Sequence, residues 1–499
     1  MELEQFLLEN RVQPCDLLFA KKIQPNGGWL GLFIVRAFRK GNLSVSCSQE
    51  TIDPPIETIF TDDGGQIVPP AIAEHIAHHI REEIAARSYQ SLFEAPPNFS
   101  LPYAKALHDQ VWAEVSRLAS APPFLHIHSQ ELPNNLTDHQ KAAIEAASTH
   151  SVSIITGGPG TGKTFTAGMW LQQAARSIQN LRVALCAPTG RAVQALQASI
   201  VRACGTPQFS LDAKTIHSFI HASQAVLPYH IVIVDECSMI DSALFLALVR
   251  RLHTGVKLIM LGDPHQLPPI DPGQPFVEFT SSGHIPVTSL TTCQRTSSSV
   301  LTALAELLRA NKLEAFRSCL YENGLVHECR TSQDWQEAEK ILANEVATPW
   351  SHLRTIDEAT GLLRQAVILT PTRKGYFGSE ALNERLSTNS RFEPIVIVKN
   401  SYDLDVMNGD LGVLEQGSLL YVGDKTIPAV LCPHIEKAYA MTVHKSQGSE
   451  FDEVSVILPP RACVDKRLLY TAITRARKKL RVFAAEKSPP QAFCEPLMN

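Results

Sequence analysis

The chain has 499 residues, of which 44% are hydrophobic and 19% are charged, and its formal net charge is −5. This composition is ordinary for a globular protein of about three or four domains, and it excludes binding of nucleic acid through an overall basic charge. The longest apolar runs are too short for a membrane span, the first residues are acidic, and the eleven cysteines form no Cys-x-x-Cys pair, so we expect a cytoplasmic protein with reduced thiols and no membrane contact.

Residues 1–130 are predicted to form a mainly helical N-terminal domain. Isoleucines recur at every fourth position from Ile72 to Ile84, which is a helical spacing. A proline-rich break at 94–103 precedes a second predicted helix at 104–118. No residues in this region have catalytic spacing, so a structural or partner-docking role is expected.

Gln140 lies in a predicted helix that begins at Thr137 or Asp138. Its side-chain amide has both a donor and an acceptor, and these two groups suit the hydrogen-bonding edge of an adenine. A surface glutamine with no ligand is an equally open interpretation.

A glycine-rich segment of the form G-x-x-x-x-G-K-T follows this helix. It consists of Gly157, Gly158, Pro159, Gly160, Thr161, Gly162, Lys163 and Thr164. A predicted strand at 151–156 and a predicted helix at 165–177 flank it, which is the context of a phosphate-binding loop rather than of a chance turn. Glycines let backbone N–H groups close around a triphosphate, and the helix start adds partial positive charge. Lys163 is predicted to contact the β- and γ-phosphates of ATP, and Thr164 to ligate Mg²⁺.

Two further predicted strands deliver polar groups to the same region. The β-branched run 231–234 is typical of a buried parallel strand, and it ends in Asp235 and Glu236. We predict that Asp235 holds Mg²⁺ and that Glu236 activates the attacking water. The strand at 256–261 leads to Gln266, which is predicted to sense the γ-phosphate beside Glu236.

A second strand-and-helix series begins at 366–370 and ends with Arg475, which follows a predicted helix at 468–473. Short β-type runs and turns interrupt it, which predicts a small β-barrel-like insertion. Two such series predict a cleft that holds ATP between them. Arg295 and Arg475 would meet the γ-phosphate when this cleft closes, so that hydrolysis drives a motion.

Eight motifs now stand in order along the last three-quarters of the chain. They are GGPGTGKT, APTGRA, TIH, VIVDECSMID, LGDPHQLPPIDPG, CQRT, TVHKSQGSEFDEV and LLYTAITRAR. Their order resembles that of the superfamily 1 helicases, and their wording is most similar to the RecD family of 5′→3′ DNA helicases. This resemblance implies an α/β fold with two RecA-like parallel-sheet motor domains, an N-terminal domain and a small SH3-like β insertion. The implied ranges are 131–285 for the first motor domain, 286–394 with 435–499 for the second, and 395–434 for the insertion.

The resemblance also implies roles for individual residues. Gln140 would contact adenine, and Gly448 and Glu450 would line the γ-phosphate and ribose side. The residues implied along a groove for single-stranded DNA are Thr189, Arg191, His217, Thr442 and His444. Such a groove holds phosphates and stacks bases without reading sequence.

The resemblance implies partners as well: RecB-like and RecC-like subunits in a RecBCD-type helicase–nuclease that acts on DNA ends in double-strand-break repair. One departure is the segment between the TIH and DE motifs, where only 221–230 is available for a strand-separating hairpin. No nuclease constellation is visible, so nuclease activity would belong to a partner.

A free-standing RecD-like helicase is an open alternative. The intact motifs argue against a non-hydrolysing structural subunit. The lack of a nicking constellation argues against a conjugative relaxase-helicase.

Overall fold

The structure is a computed structural model, and it describes residues 29–39, 44–47, 52–53, 74, 76–81, 98–100, 102–122, 133, 136–205, 209–222, 226–291, 299–388, 390–401, 403–459 and 465–485. Within these residues, no helix is both long and apolar enough to cross a membrane. Of the helix predicted at 72–86, residues 74 and 76–81 are described as helical, and both Ile76 and Ile80 are buried.

The described N-terminal residues combine helices with a small antiparallel sheet of order β2-β1-β3. The labelled elements are α1 (Trp29–Arg39), β1 (Ser44–Cys47), β2 (Ile52–Asp53), β3 (Asn98–Ser100) and α2 (Pro102–Ala119). Four apolar side chains of α2, from Leu107 to Leu118, recur at helical spacing and enter the core of the first large sheet. Arg117 of α2 also donates to the Leu252 carbonyl at 2.9 Å. Although the sequence analysis assigned this helix to the N-terminal domain, it packs as part of the first motor domain.

The first large sheet has six parallel strands in the order β6-β5-β7-β8-β4-β9. The strands are β4 (Val152–Gly157), β5 (Arg182–Ala187), β6 (Ser210–Thr215), β7 (Ile231–Val234), β8 (Lys257–Gly262) and β9 (Val287–Leu290). The helices are α3 (Asp138–Thr149), α4 (Lys163–Ser177), α5 (Gly190–Cys204), α6 (Ile216–Ile220), α7 (Ser242–Val249) and α8 (Pro275–Ser282). Alternate side chains of β7 enter two separate cores: Val232 and Val234 face one, and Ile231 and Ile233 face the other. Both faces are therefore covered, as a parallel sheet requires.

The second half of the chain continues with ten strands and seven helices among the described residues. The strands are β10 (Val326–Cys329), β11 (Ala366–Thr370), β12 (Phe392–Ile397), β13 (Leu411–Glu415), β14 (Leu419–Val422), β15 (Lys425–Pro428), β16 (Ile435–Lys437), β17 (Ala440–Thr442), β18 (Phe451–Leu458) and β19 (Ala476–Ala485). The helices are α9 (Ser299–Arg309), α10 (Leu313–Glu322), α11 (Ser332–Leu342), α12 (Thr348–Ser351), α13 (Ile356–Leu362), α14 (Ser379–Leu386) and α15 (Lys466–Ile473).

A second parallel sheet has the order β10-β19-β18-β11-β17. Its strands also alternate between two cores: Val367 and Leu369 of β11 face one, and Ile368 faces the other. The predicted α/β fold with two parallel-sheet domains is confirmed.

The insertion is an antiparallel sheet of order β15-β14-β13-β12-β16. It runs from Phe392 to Lys437, whereas the predicted range was 395–434. Ile395 and Ile397 of β12 point into its own small core, while Phe392 packs in the core of the second parallel sheet. The insertion is thus built onto the second motor domain through its first strand.

Hydrogen bonds join the two motor domains directly. Tyr470 Oη of α15 donates to Asp263 Oδ2 at 2.7 Å, and the Leu267 N–H donates to Thr471 Oγ1 at 3.0 Å. Asp263 and Leu267 follow β8, so α15 of the second domain is docked on the loop after a central strand of the first.

The segment available for a strand-separating hairpin lies between α6 and β7. Among its described residues, 221–222 and 226–230, there is no strand apart from a single bridge between Leu227 and Leu252. This part of the chain therefore gives no support for a built-in pin.

Candidate functional site

The glycine-rich loop joins β4 to α4, as predicted. Gly160 and Gly162 have φ angles of 76° and 88°, in the left-handed region that favours glycine. A Cβ on Gly157 would lie 2.6 Å from Thr161 Oγ1 and 2.7 Å from the Leu290 carbonyl oxygen, so the loop is too tight for a side chain there. This geometry leaves backbone N–H groups facing the start of α4, where a phosphate binds.

Lys163 and Thr164 open α4 and carry the polar side chains of the loop. Lys163 Nζ donates to the carbonyls of Gly157 (2.7 Å) and Gly158 (3.2 Å), so its ammonium is held over the loop. Thr164 Oγ1 donates to Asp235 Oδ2 at 3.0 Å. A hydroxyl and a carboxylate side by side next to a phosphate-binding loop form a donor set that suits Mg²⁺. The residues present therefore fit both the nucleotide and its metal.

The carboxyl ends of β4, β8 and β7 lie side by side, because these strands are consecutive neighbours in a parallel sheet. Asp235 and Glu236 follow β7 directly. Glu236 has φ 53°, which is uncommon for a residue with a side chain and typical of functional positions where surrounding structure holds strain. Burial, and then the charge of Asp235, raise the pKa of Glu236. A raised pKa brings a carboxylate closer to the proton affinity that a general base needs near neutral pH.

Gln266 enters the same cleft from the loop after β8. The side chain is 3% exposed, and its Oε1 atom is enclosed with no hydrogen-bond partner among the described residues. A buried acceptor without a partner costs about 1–3 kcal/mol unless a ligand or water satisfies it. Because Gln266 lies beside Glu236 in the cleft, its Oε1 atom is suited to accept a hydrogen bond from an attacking water or from a water bound to a phosphate.

The second motor domain supplies the opposite wall. Arg475 is 3% exposed, with Nη1 donating to the Ser449 carbonyl and Nε donating to the Thr471 carbonyl, both at 3.1 Å. Gly448 and Glu450 line the cleft beside it. Arg364 and Arg477 also line it, and the sequence analysis did not find them. Two sequence features could have indicated these arginines: Arg364 shortly precedes a buried strand, β11, and Arg477 lies in β19, two residues after Arg475.

The resulting cleft has a volume of about 760 Å³. Its cationic side chains are Lys163, Arg191, Arg202, Arg364, Arg475 and Arg477, and its carboxylates are Asp235, Glu236 and Glu450. The cleft is therefore locally cationic within an acidic chain, which suits a polyanionic ligand such as a nucleoside triphosphate. Pro159, Gly160 and Gly162 line it too, whereas Gly157, Gly158 and Thr161 do not.

Gln140 is not a surface residue. It is 1% exposed, and it forms a capping box with Thr137: the Thr137 N–H donates to Gln140 Oε1 at 3.0 Å, and the Gln140 N–H donates to Thr137 Oγ1 at 3.3 Å. Its Nε2 atom is enclosed and lacks a partner in the described part of the chain. Gln140 does not line the phosphate cleft. The contact of Gln140 with adenine therefore stays a prediction.

Four of the residues assigned to a DNA groove lie at the carboxyl ends of strands. Thr189 follows β5 and caps α5 by accepting from the Ala192 N–H, and His217 is exposed just after β6. Thr442 is the last residue of β17, and its Oγ1 accepts from the Lys445 N–H at 3.3 Å. His444 lies in the following turn, where burial lowers its pKa and favours the neutral ring.

The fifth residue assigned to the DNA groove and the predicted arginine Arg295 have different outcomes. Arg191, expected along the DNA groove, lies in the wall of the nucleotide cleft. It is the second residue of α5, whose N-terminus faces the second motor domain across the cleft. Arg295 lies outside the described residues, so its predicted contact with the γ-phosphate stays a prediction.

Replacing Lys163 by alanine is expected to lower the rate of ATP hydrolysis by about 10²–10³, the usual effect of removing one group that stabilises transition-state charge. The fold should persist, because the ammonium contacts only loop carbonyls. Steady-state ATPase with saturating single-stranded DNA measures the effect, and circular dichroism reports the fold. The matched control is Lys340→Ala, an exposed lysine on α11. Hydrolysis at the normal rate in the Lys163→Ala variant would show that Lys163 does not take part in ATP hydrolysis.

Two family models match parts of the chain. Residues 135–331 match the AAA domain family, and residues 437–483 match the UvrD-like helicase C-terminal domain. The chain is 30% identical over 412 residues to the RecBCD enzyme subunit RecD of Mycobacterium tuberculosis, covering 70% of each protein. It is 29% identical over 385 residues to the ATP-dependent RecD2 DNA helicase of Deinococcus radiodurans, covering 69% of this chain and 48% of that one. Among solved structures, the Bacteroides Pif1 helicase in complex with ADP-AlF3 and single-stranded DNA has a TM-score of 0.41 and 16% identity, covering 73% of this chain and 95% of that chain.

Proposed function

We propose that this chain moves 5′→3′ along single-stranded DNA as a subunit of a RecBCD-type helicase–nuclease. The chain belongs to the RecD family of superfamily 1 helicases and is an ATP-dependent DNA helicase. The observation that carries the proposal is the cleft itself. One wall holds Lys163 and Glu236 from the first sheet, and the other holds Arg475 from the second. A ligand in this cleft contacts both motor domains, so its hydrolysis changes how they sit together.

Each polar residue of the cleft then has a role in hydrolysis. Lys163 binds the β- and γ-phosphates, and Glu236 accepts the proton of the attacking water. Gln266 orients that water through its unpartnered Oε1, and Arg475 stabilises the charge that develops on the γ-phosphate. Thr164 and Asp235 would hold Mg²⁺, which neutralises phosphate charge when bound. Gln140 would donate its Nε2 hydrogen to adenine.

We place DNA along the carboxyl ends of the strands, where Thr189, His217, Thr442 and His444 lie. The neutral His444 ring suits stacking on a base more than pairing with a phosphate. Phosphate contacts would supply most of the affinity, so DNA-stimulated ATPase should fall with salt.

Dependence on partners is supported by the short segment between α6 and β7, in which the described residues form no hairpin. A motor without its own pin needs a partner to split the duplex, and RecB-like and RecC-like subunits are the partners that we propose. Nuclease activity would reside in those subunits. The Mycobacterium tuberculosis relative is named as a RecBCD subunit, which favours this assignment. The Deinococcus radiodurans relative is named as a helicase in its own right, so a free-standing helicase is the second candidate.

Forked DNA duplexes with only a 5′ or only a 3′ single-stranded tail test both polarity and partner dependence. The isolated chain should show strong DNA-stimulated ATPase and weak unwinding, with the 5′ tail preferred. Adding the co-purified RecB-like and RecC-like subunits should raise unwinding much more than ATPase, because the partners contribute the splitting element and not the motor. Strand displacement is followed by fluorescence, and ATPase is measured on the same substrates.

Two outcomes would contradict parts of this proposal. Preference of the isolated chain for the 3′ tail would rule out the 5′→3′ direction. Robust unwinding by the isolated chain, unchanged when partners are added, would establish the free-standing helicase instead. Affinity purification from the native cell, followed by mass spectrometry, identifies the partners independently.

A further inference from the structure

The loop that carries Gln266 is held by the second motor domain on both sides of this residue. Tyr470 Oη donates to Asp263 Oδ2 at 2.7 Å, and Asp263 shortly precedes Gln266. The Leu267 N–H, directly after Gln266, donates to Thr471 Oγ1 at 3.0 Å. Tyr470 and Thr471 are consecutive residues of α15. One short piece of this helix therefore contacts the chain before and after Gln266.

Asp263 connects α15 to the backbone of Gln266. Its Oδ1 atom accepts from the His265 N–H at 3.1 Å, and its carbonyl accepts from the Gln266 N–H at 3.2 Å. The carboxylate thus binds its own loop with one oxygen and α15 with the other. Asp263 and Tyr470 are both buried, and hydrogen bonds between buried groups are stronger than they are in water. A displacement of α15 would therefore displace Gln266.

The Tyr470 hydroxyl also lies against the phosphate loop. A Cβ on Gly158 would lie 3.1 Å from Tyr470 Oη and 4.0 Å from Asp263 Oδ2. The carbonyl of Gly158 is one of the two that accept from Lys163 Nζ. Burial, and then the charge of Asp263, raise the pKa of Tyr470, so the hydroxyl keeps its proton and remains a donor. One side chain of the second domain therefore meets two loops of the first.

The same turn of α15 holds Arg475. Arg475 Nε donates to the Thr471 carbonyl at 3.1 Å, just beyond the end of the helix. Thr471 consequently binds the Gln266 loop through its side chain and Arg475 through its backbone. Gln266 belongs to the first motor domain and Arg475 to the second, so neither sheet alone fixes the distance between them. The contacts of α15 with the loop after β8 do so.

We propose that Tyr470 and Thr471 are positioning residues for ATP hydrolysis, which place Gln266 relative to Arg475 across the interface of the two motor domains. Among the described residues that line the cleft, neither Tyr470 nor Thr471 occurs, so their effect on the reaction passes through Gln266. Gln266 and Arg475 must act on the same terminal phosphate, and such geometry is sensitive to small shifts. This inference rests on the roles proposed for Gln266 and Arg475 in the cleft.

The test measures steady-state DNA-stimulated ATPase of Tyr470→Phe and Thr471→Val. Each variant is expected to lower the turnover number by about 10–10²-fold, the effect of misplacing a reacting group by about 1 Å or less. The KM for ATP should change little, because Lys163 and the rest of the phosphate loop are unaltered. Thr471→Ser, which keeps the hydroxyl that accepts from Leu267, should retain wild-type turnover. Thr471→Ala replaces Thr471→Val if the latter does not fold.

Tyr229→Phe is the matched control. Tyr229 is also a buried tyrosine whose hydroxyl donates to a carboxylate, that of Asp212, but both residues belong to the first motor domain. Tyr229 precedes β7 and so lies at the amino end of the sheet, opposite the edge that carries the cleft. Its loss should lower thermal stability and leave turnover unchanged. Thermal unfolding of every variant separates a loss of stability from a loss of catalysis.

A Gln266→Ala background identifies the residue through which Tyr470 acts. Gln266→Ala should itself lower turnover, because it removes the group proposed to orient the attacking water. In this background, Tyr470→Phe should lower turnover further by less than about twofold, since the side chain that it positions is absent and the two effects are not additive.

Three results would overturn the inference. The first is unchanged turnover in folded Tyr470→Phe and Thr471→Val variants. The second is a raised KM with unchanged turnover, which would assign the contacts to ATP binding. The third is an effect of Tyr470→Phe that is as large without Gln266 as with it. All three leave the role of Gln266 intact, whereas normal turnover in Gln266→Ala would defeat that proposed role together with this inference. The direction of movement and the need for partners do not enter, because forked duplexes test them and ATPase does not.

Discussion

Replacing Arg475 by alanine is expected to lower the turnover number of the DNA-stimulated ATPase by about 10³–10⁵, the range for an arginine that stabilises a transferring phosphoryl group. Its guanidinium is held at the cleft wall by the carbonyls of Ser449 and Thr471, so it needs little reorganisation at the moment of reaction. The KM for ATP should change little, because the interaction develops mainly in the transition state. Steady-state kinetics with saturating single-stranded DNA separates the two parameters.

The control for this substitution must address structure, because Arg475 is buried and its removal takes a donor from the Ser449 carbonyl and one of two donors from the Thr471 carbonyl, which also accepts from Thr474 Oγ1. Thermal unfolding of the variant reports that loss. Lys478→Ala, on the strand that follows Arg475, is the matched control: Lys478 is exposed and forms a 2.7 Å ion pair with Asp452, and such surface pairs contribute only about 0–1 kcal/mol. A folded Arg475→Ala variant with unchanged turnover would exclude Arg475 from the reaction.

Replacing Glu236 by glutamine is expected to lower turnover by about 10²–10⁴ while ATP binding is retained. Glutamine keeps the shape of the side chain but cannot accept a proton from water. The positive φ of Glu236 is a backbone feature that glutamine also tolerates, so the loss should be chemical and not structural. Single-turnover hydrolysis and equilibrium ATP binding measure the two effects. Glu453→Gln, which alters a half-exposed carboxylate on β18 paired with Lys479, is the control.

The same variant tests how the cleft is coupled to DNA. With bound but unhydrolysed ATP, Glu236→Gln should hold the closed cleft and bind single-stranded DNA more tightly than it does without nucleotide. Fluorescence anisotropy of a labelled oligonucleotide, measured with and without ATP, gives the two affinities. Equal affinities would show that closure of the cleft and DNA binding are independent.

Much of the first motor domain could be predicted from the sequence because its signals are local. The strand before Gly157, the helix after Lys163 and the run that ends at Asp235 were predicted within one or two residues of their observed limits. In each case the functional residues lie next in sequence to the strand or helix that positions them, so a dozen consecutive residues are enough to predict both. The same reasoning predicted β11 with its observed bounds.

Elements whose stability comes from neighbours were missed. β6 reads Ser-Leu-Asp-Ala-Lys-Thr, which has no apolar run, and it is a strand because it pairs with β5 at the edge of the sheet. The burial of Gln140 could not be predicted from the sequence either, since a capping box at a buried helix start and one at a surface helix start have the same residue pattern. Here tertiary pairing overrides local preference.

The sequence by itself determined the phosphate loop, the acids after β7 and the family. Only the tertiary structure decided how the two sheets face each other. In the first sheet the cleft residues follow the carboxyl ends of strands, whereas in the second sheet Arg364, Glu450 and Arg475 precede β11, β18 and β19 at their amino ends. The same arrangement leaves Thr442 on the opposite edge, away from the nucleotide, and brings Arg191 into the cleft. No local pattern encodes this, because it arises from packing between segments far apart in the chain, and each segment alone is compatible with either edge.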